Sequence, residues 1–283
     1  MSSTALFIAA CNYDLGWLGA VNATSPLEVH VAGCDSPGVW AAGCHDEAYH
    51  YLHFIVTRYD DLPERTLFVH GHRHTSHYPC PLDRTIPLLL GHTAYLASAQ
   101  FGGLYCQANA QSAALGWCRD KHSDPSECTE TQLWDRMYAN TGVAQPRAPE
   151  DYFSPCCGTF FATREAVRQR PRHVYKQILH NMKHNFHDEF RDKRTCGRIL
   201  ESSWHVLFLP PNTTYQPPPY CNSDYPTNRL GPSPLELCSN EYIVEQVIGY
   251  GAFYGVALLP MLVAVCVLAR ARSERSPGVA SLA

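Results

Sequence analysis

The pattern that most limits the fold is one helix set between short apolar runs. His45–Leu62 places Ala48, Tyr51, Leu52, Ile55, Tyr59 and Leu62 at helical spacing. One stripe of that helix is therefore apolar and must face a core. Asp46 and Glu47 stand in its first turn, where negative charge complements the helix dipole. Pro63 stops it. Ala5–Ala10 reads as a buried strand, and Leu27–Ala32 as a second with Val29 and Val31 on one face. Leu67–Val69 reads as a third. Strand, loop, strand, helix, strand predicts an α/β domain with a mostly parallel sheet flanked by helices.

The third strand runs into histidines at 70, 72, 74 and 77. Ligands of α/β sheets bind beyond strand ends, and imidazole is suited to proton transfer and metal ligation near neutral pH. Continued as a strand, this stretch puts His70, His72 and His74 on one face. Two or three imidazoles would then reach one ion. His70 and His72, nearest the strand end, are the candidate metal ligands, with His74 as a third. The plain alternative is a polar surface loop in a chain with 15 histidines.

Other chemistry is scattered. Asp14 reads as a nucleotide contact or as a cap just before Leu15. Asp35 reads as a turn residue or a ribose contact. Glu201, on a helix beside aromatics, is the candidate general base, and its alternative is an ion pair with Arg164 or Arg198. His205 lies four residues on, on the same helical face, as a catalytic partner or an ordinary core histidine. Gly-rich phosphate loops, Gly-x-Ser-x-Gly elbows and His-Glu-x-x-His motifs are missing from the sequence.

Further along, Leu82–Gly91 reads as a helix limited by Pro87, and residues 107–150 as an insertion in a domain spanning 1–209. Thr163 reads as a helix cap, and Arg172–Asn185 as a helix with Val174, Ile178 and Met182 inward. Twelve of the thirteen cysteines precede residue 247 and none forms a C-x-x-C pair. That favours disulfides in an oxidising compartment over zinc. Sequons at Asn22 and Asn212 lean the same way. Residues 210–246 read as a proline-rich stalk and 247–269, uncharged, as a transmembrane helix. Arg270, Arg272 and Arg275 follow it in a short tail, 270–283. The expected protein is thus single-pass, in the secretory pathway or at the cell surface, with residues 1–246 lumenal or extracellular. Ala5–Ala10 is too short for the signal this topology needs, so the expectation is that the sequence extends further at its N-terminus, with a cytosol-facing tail anchor as the alternative. The net charge of −4 offers no basic footprint for nucleic acid.

Several stretches together resemble domain-of-unknown-function family 3431, over about residues 5–209. They are Asn12-Tyr13-Asp14-Leu15-Gly16-Trp17-Leu18, Glu47-Ala48-Tyr49-His50-Tyr51-Leu52, Tyr59-Asp60-Asp61-Leu62-Pro63, Phe68-Val69-His70-Gly71-His72, Cys157 to Glu165, and Glu201 to Phe208. A weaker resemblance is to glycosyltransferases of the GT-A fold, which implies a Rossmann-like architecture. It implies a nucleotide-sugar donor, a glycan or lipid acceptor, and a divalent metal (Mn, Mg or Zn). Val69-His70-Gly71-His72 falls where those enzymes carry Asp-x-Asp, with histidine replacing both acids. Imidazole shifts the preference toward zinc. The Cys157–Glu165 stretch looks like their acceptor-side segment, which makes Arg164 a candidate substrate contact. The implied function is transfer of a sugar from a nucleotide-sugar to an acceptor hydroxyl, or a relative that has lost that activity. A metal-dependent hydrolase built on the histidine loop and a non-catalytic membrane-anchored binding domain are the alternatives.

Overall fold

Two apolar clusters form because the central strands are buried on both faces. In β1 (Thr4–Ala9) and β3 (Arg65–His70), alternate residues point to opposite sides. Phe7, Ala9 and Phe68 join one cluster, and Leu6, Ile8, Leu67 and Val69 the other. This computed structural model describes residues 3–10, 13–25, 27–33, 47–73, 81–104, 108–110, 130–144, 153–155, 158–186, 195–210 and 213. The chain divides into two units, Met1–Leu235 and Glu236–Ala283, and every described residue belongs to the first.

The main sheet has the order β2-β1-β3-β7-β4, with β2 at Glu28–Ala32, β4 at Phe101–Gly103 and β7 at Phe160–Thr163. β1 pairs parallel with β2 and β3, whereas β7 pairs antiparallel with both β3 and β4. A separate antiparallel pair joins β5 (Ala108–Ala110) to β6 (Phe153–Pro155). Two pairings are therefore parallel and three antiparallel among the described residues. The expected mostly parallel sheet is corrected to a mixed one, and the GT-A type of architecture goes with it. The cause is β7, which is buried at all four positions. A strand apolar on both faces carries no periodicity that records its direction.

Helices cover both faces. On the Phe68 side lie α2 (Glu47–Arg58), α5 (Glu130–Tyr138), α6 (Arg164–Arg168), α7 (Arg172–His184) and α8 (Thr195–Phe208). On the Val69 side lie α1 (Leu18–Thr24), α3 (Leu82–Gly91) and α4 (Thr93–Ser98). α2 ends in a 3₁₀ turn, Tyr59–Asp61, and Leu62 is extended ahead of Pro63, as a residue before proline prefers. Thr163 caps α6, its hydroxyl accepting from the Ala166 N–H at 3.2 Å. Pro171 then precedes α7, whose Val174, Ile178 and Met182 are buried.

No helix among the described residues is long and apolar enough to cross a membrane. The expected single-pass protein with lumenal residues 1–246 is therefore not supported. The expected span, 247–269, lies outside the described residues. That reading rested on the missing charge of a run that Gly249, Gly251, Gly255 and Pro260 interrupt. The stalk and most of the insertion also lie outside the described residues, as does every cysteine except Cys196. No disulfide is seen among the described residues.

Candidate functional site

β1, β2 and β3 run parallel, so their carboxyl ends share one edge of the sheet. β7 starts at that edge, since Phe160 pairs with Phe68. β1 sits between β2 and β3, and the chain leaves β1 toward β2 but leaves β3 toward the other side. The loops after β1 and β3 diverge there and open a crevice at a topological switch point.

Tight local packing fixes both walls. The Gly71 N–H donates to the Ala9 carbonyl at 2.8 Å. A Cβ on Gly71 would lie 2.7 Å from Ala10 and from the Tyr13 ring, so only glycine fits. The Trp17 indole N–H donates to the Gly71 carbonyl at 3.1 Å, tying the two loops together. Asp14 Oδ1 accepts from the Gly16 N–H at 2.8 Å. Asp14 thus holds the turn ahead of α1 and does not cap the helix, which begins at Leu18 without a side-chain cap. On the facing loop, Arg73 donates twice to Asp83, at 2.9 and 3.0 Å, a fork-to-carboxylate pair. The result is an open cleft of about 560 Å³ lined by Tyr13, Asp14, Gly16, Trp17, His72, Arg73 and Asp83.

The two described histidines of the loop take different sides. His70 is the last residue of β3 and falls on the Phe68 face, where its Nδ1 lies 3.3 Å from Glu47 Oε1. His72 lies past the strand and lines the cleft, with its ring 5.0 Å from that of Tyr13. The His70 and His72 rings remain 4.9 Å apart. A continuous three-histidine strand face does not form, because β3 ends at His70. His74 and Asp35 lie outside the described residues. No group of three His, Cys, Asp or Glu side chains placed to hold a metal occurs among the described residues.

Glu201 and His205 lie on α8 and are buried. Glu201 lines a closed seam with Glu47, Ala48, Tyr51, Gly158, Gly197 and Trp204. That seam is too narrow to hold a water molecule. The structure therefore gathers Asp14 and His72 in the open cleft, and Glu201 with Glu47 on the other face of the sheet. Arg164 joins neither group. It follows Thr163, which pairs with Arg65 at the amino end of β3, roughly 16 Å of strand from His70. Its backbone N–H donates to the Glu64 carbonyl.

Glu47, Tyr13 and Arg73 are site residues that the sequence did not single out. Glu47 carried a signal of another kind, since a first-turn acid is accounted for by the helix dipole alone. Arg73 was overshadowed by the histidines around it.

Neither the curated proteins nor the solved structures give a match, so the likeness to GT-A-fold glycosyltransferases gains no support from comparison. A family match does exist, over residues 34–224, which takes in α2, the histidine strand, β7 and α8. On that match over more than half of its length, the chain belongs to the family described as "Protein of unknown function (DUF3431)".

Proposed function

We propose that the chain binds a nucleotide-sugar in the β1/β3 cleft and transfers its sugar to an acceptor hydroxyl. The observation that carries this reading is the cleft itself: open, at the switch point, and lined from both diverging loops. Nucleotides favour such crevices because backbone and side-chain donors converge there from two strands. Tyr13 is 48% exposed and offers a ring against a base. Asp14 suits ribose hydroxyls, and Arg73 and His72 supply donors for a pyrophosphate. The Arg73–Asp83 pair fixes the guanidinium plane at the wall of the cleft.

Among the described residues no three His, Cys, Asp or Glu side chains converge, so no metal ligands are assigned. The hydrolase reading needs such a convergence and gains nothing from these residues. The test is thermal unfolding of the full chain with a panel of nucleoside diphosphate-sugars. A donor at a hundred times its Kd stabilises the native state by about 2.7 kcal/mol. Tyr13→Ala and Arg73→Ala should each abolish that response. Failure of every nucleotide-sugar to raise the Tm overturns the proposal.

A further inference from the structure

β2 forms one edge of the main sheet, and among the described residues its only strand neighbour is β1. The Ala10 N–H donates to the Ala32 carbonyl at 2.9 Å, with Ala9 and Ala32 in register. Backbone polar groups alternate in direction along a strand. Glu28, His30 and Ala32 therefore turn theirs toward β1, and Val29 and Val31 turn theirs outward. An outward row of N–H and C=O groups is a template for another strand, and proteins usually blunt it with lysine, proline or a bulge. β2 reads Glu-Val-His-Val-Ala, and its one full charge, Glu28, stands at the strand start. Val31 is 50% exposed. Residues 29–32 line one wall of an open groove of about 440 Å³ beside α2. Four successive residues take in both faces of a strand, so the groove opens on its edge.

We infer that β2 pairs antiparallel with β2 of a second copy of this chain, about a two-fold axis at His30. The strand is its own complement in that register. Val29 faces Val31 of the second copy, and Val31 faces its Val29. These are the residues whose N–H and C=O groups point outward, so each pair exchanges two hydrogen bonds and the edge gains four. Val29 packs with the Val69-side cluster, so the four β-branched side chains meet on the face away from α2, a favourable cross-strand pairing. His30 meets His30 as a non-hydrogen-bonded pair, where antiparallel strands come closest. Glu28 faces Ala32, so like charges do not meet, and each Glu28 keeps its own His30 at 2.8 Å. The axis is normal to the sheet, which puts both α2 helices on one side. The contact uses the β2 edge of each copy and leaves neither to propagate, so it closes as a dimer.

The deciding measurement is the mass of the full chain by sedimentation across a dilution series, with two variants. A five-residue edge buries less than a permanent interface does, so the wild type should pass from dimer to monomer on dilution. Val31→Pro removes an outward N–H and costs the β1 ladder no bond, since proline is tolerated where an edge strand faces solvent. It should be monomeric at every concentration, with an unchanged far-UV circular dichroism spectrum. His30→Cys, oxidised where the wild type is dimeric, should give a covalent dimer whose cross-linked peptide joins position 30 of one copy to position 30 of the other, read by mass spectrometry. The peptide map separates this link from any made by the native cysteines. A wild type that stays monomeric up to millimolar concentration overturns the inference. So does a mass above the dimer, a Val31→Pro chain that still dimerises, or the absence of the link between the two positions 30. Where Val31→Pro fails to fold, the cross-link decides.

Discussion

Gly71 shows how much of the cleft depends on a single missing side chain. A Cβ there would sit 2.7 Å from the Cα of Ala10 and from the Tyr13 ring, and the Ala10 backbone cannot step aside as a flexible side chain would. Gly71→Ala should cost about 1–3 kcal/mol by overpacking, read as a lower urea midpoint at unchanged m. The variant should also lose its thermal response to nucleotide-sugars, because the Trp17 bond to the Gly71 carbonyl spans the same loops. The histidines around this glycine were legible as candidates from their place after an apolar run. What each faces was not. Strand alternation put His70 and His72 on one face, and the end of β3 at His70 parted them. Glu47 lies 23 positions before His70, and only the fold brings the two together.

Among the elements, helices were easier to read than strands. α2, α3 and α7 follow apolar spacing and proline punctuation, so local rules suffice. The sheet needed information that is not local. β4 contains two glycines in three residues, Gly102 packing against Tyr95 and Phe161, and has almost no strand signature. The direction of β7 is set by which chain segments lie on either side. Docking of helices likewise depends on contacts that no periodicity announces. Asn181 of α7 is buried and donates to the carbonyls of Met137 and Ala139 at 2.9 Å each, closing the C-terminal end of α5. Asn181→Leu keeps the volume and removes both bonds from buried carbonyls, so it should cost about 2 kcal/mol. Chemical denaturation checks this: a smaller loss, within a few tenths, means that water replaces the asparagine.

At the scale of the whole molecule, the large aromatic core makes stability sensitive to alkali. Burial raises Tyr138 and Tyr175 above the usual phenol range. The Tyr138 hydroxyl is bonded to Ser203 at 2.5 Å, and the Tyr175 hydroxyl donates to the Val167 carbonyl at 2.7 Å. Both stay protonated in the native state above the pH where an unfolded chain ionises them, about 10. Their contribution is therefore fully present below about pH 10 and is lost as pH rises toward their native values. The slope should be about 1.4 kcal/mol per pH unit for each phenol. Urea midpoints measured across this range should fall accordingly, and Tyr138→Phe with Tyr175→Phe should flatten the fall. An equally steep loss in the double variant would assign it elsewhere. The insertion of β7 beside β3 has a consequence for the order in which the protein is made. The walls of the cleft, from Tyr13 to Asp83, are all in the first part of the chain. The seam beside His70 waits for Gly158 and Glu201. A growing chain emerges N-terminus first, and contacts between distant segments are the slow ones to close. Synthesis thus delivers every residue of the cleft well before the helix that carries Glu201.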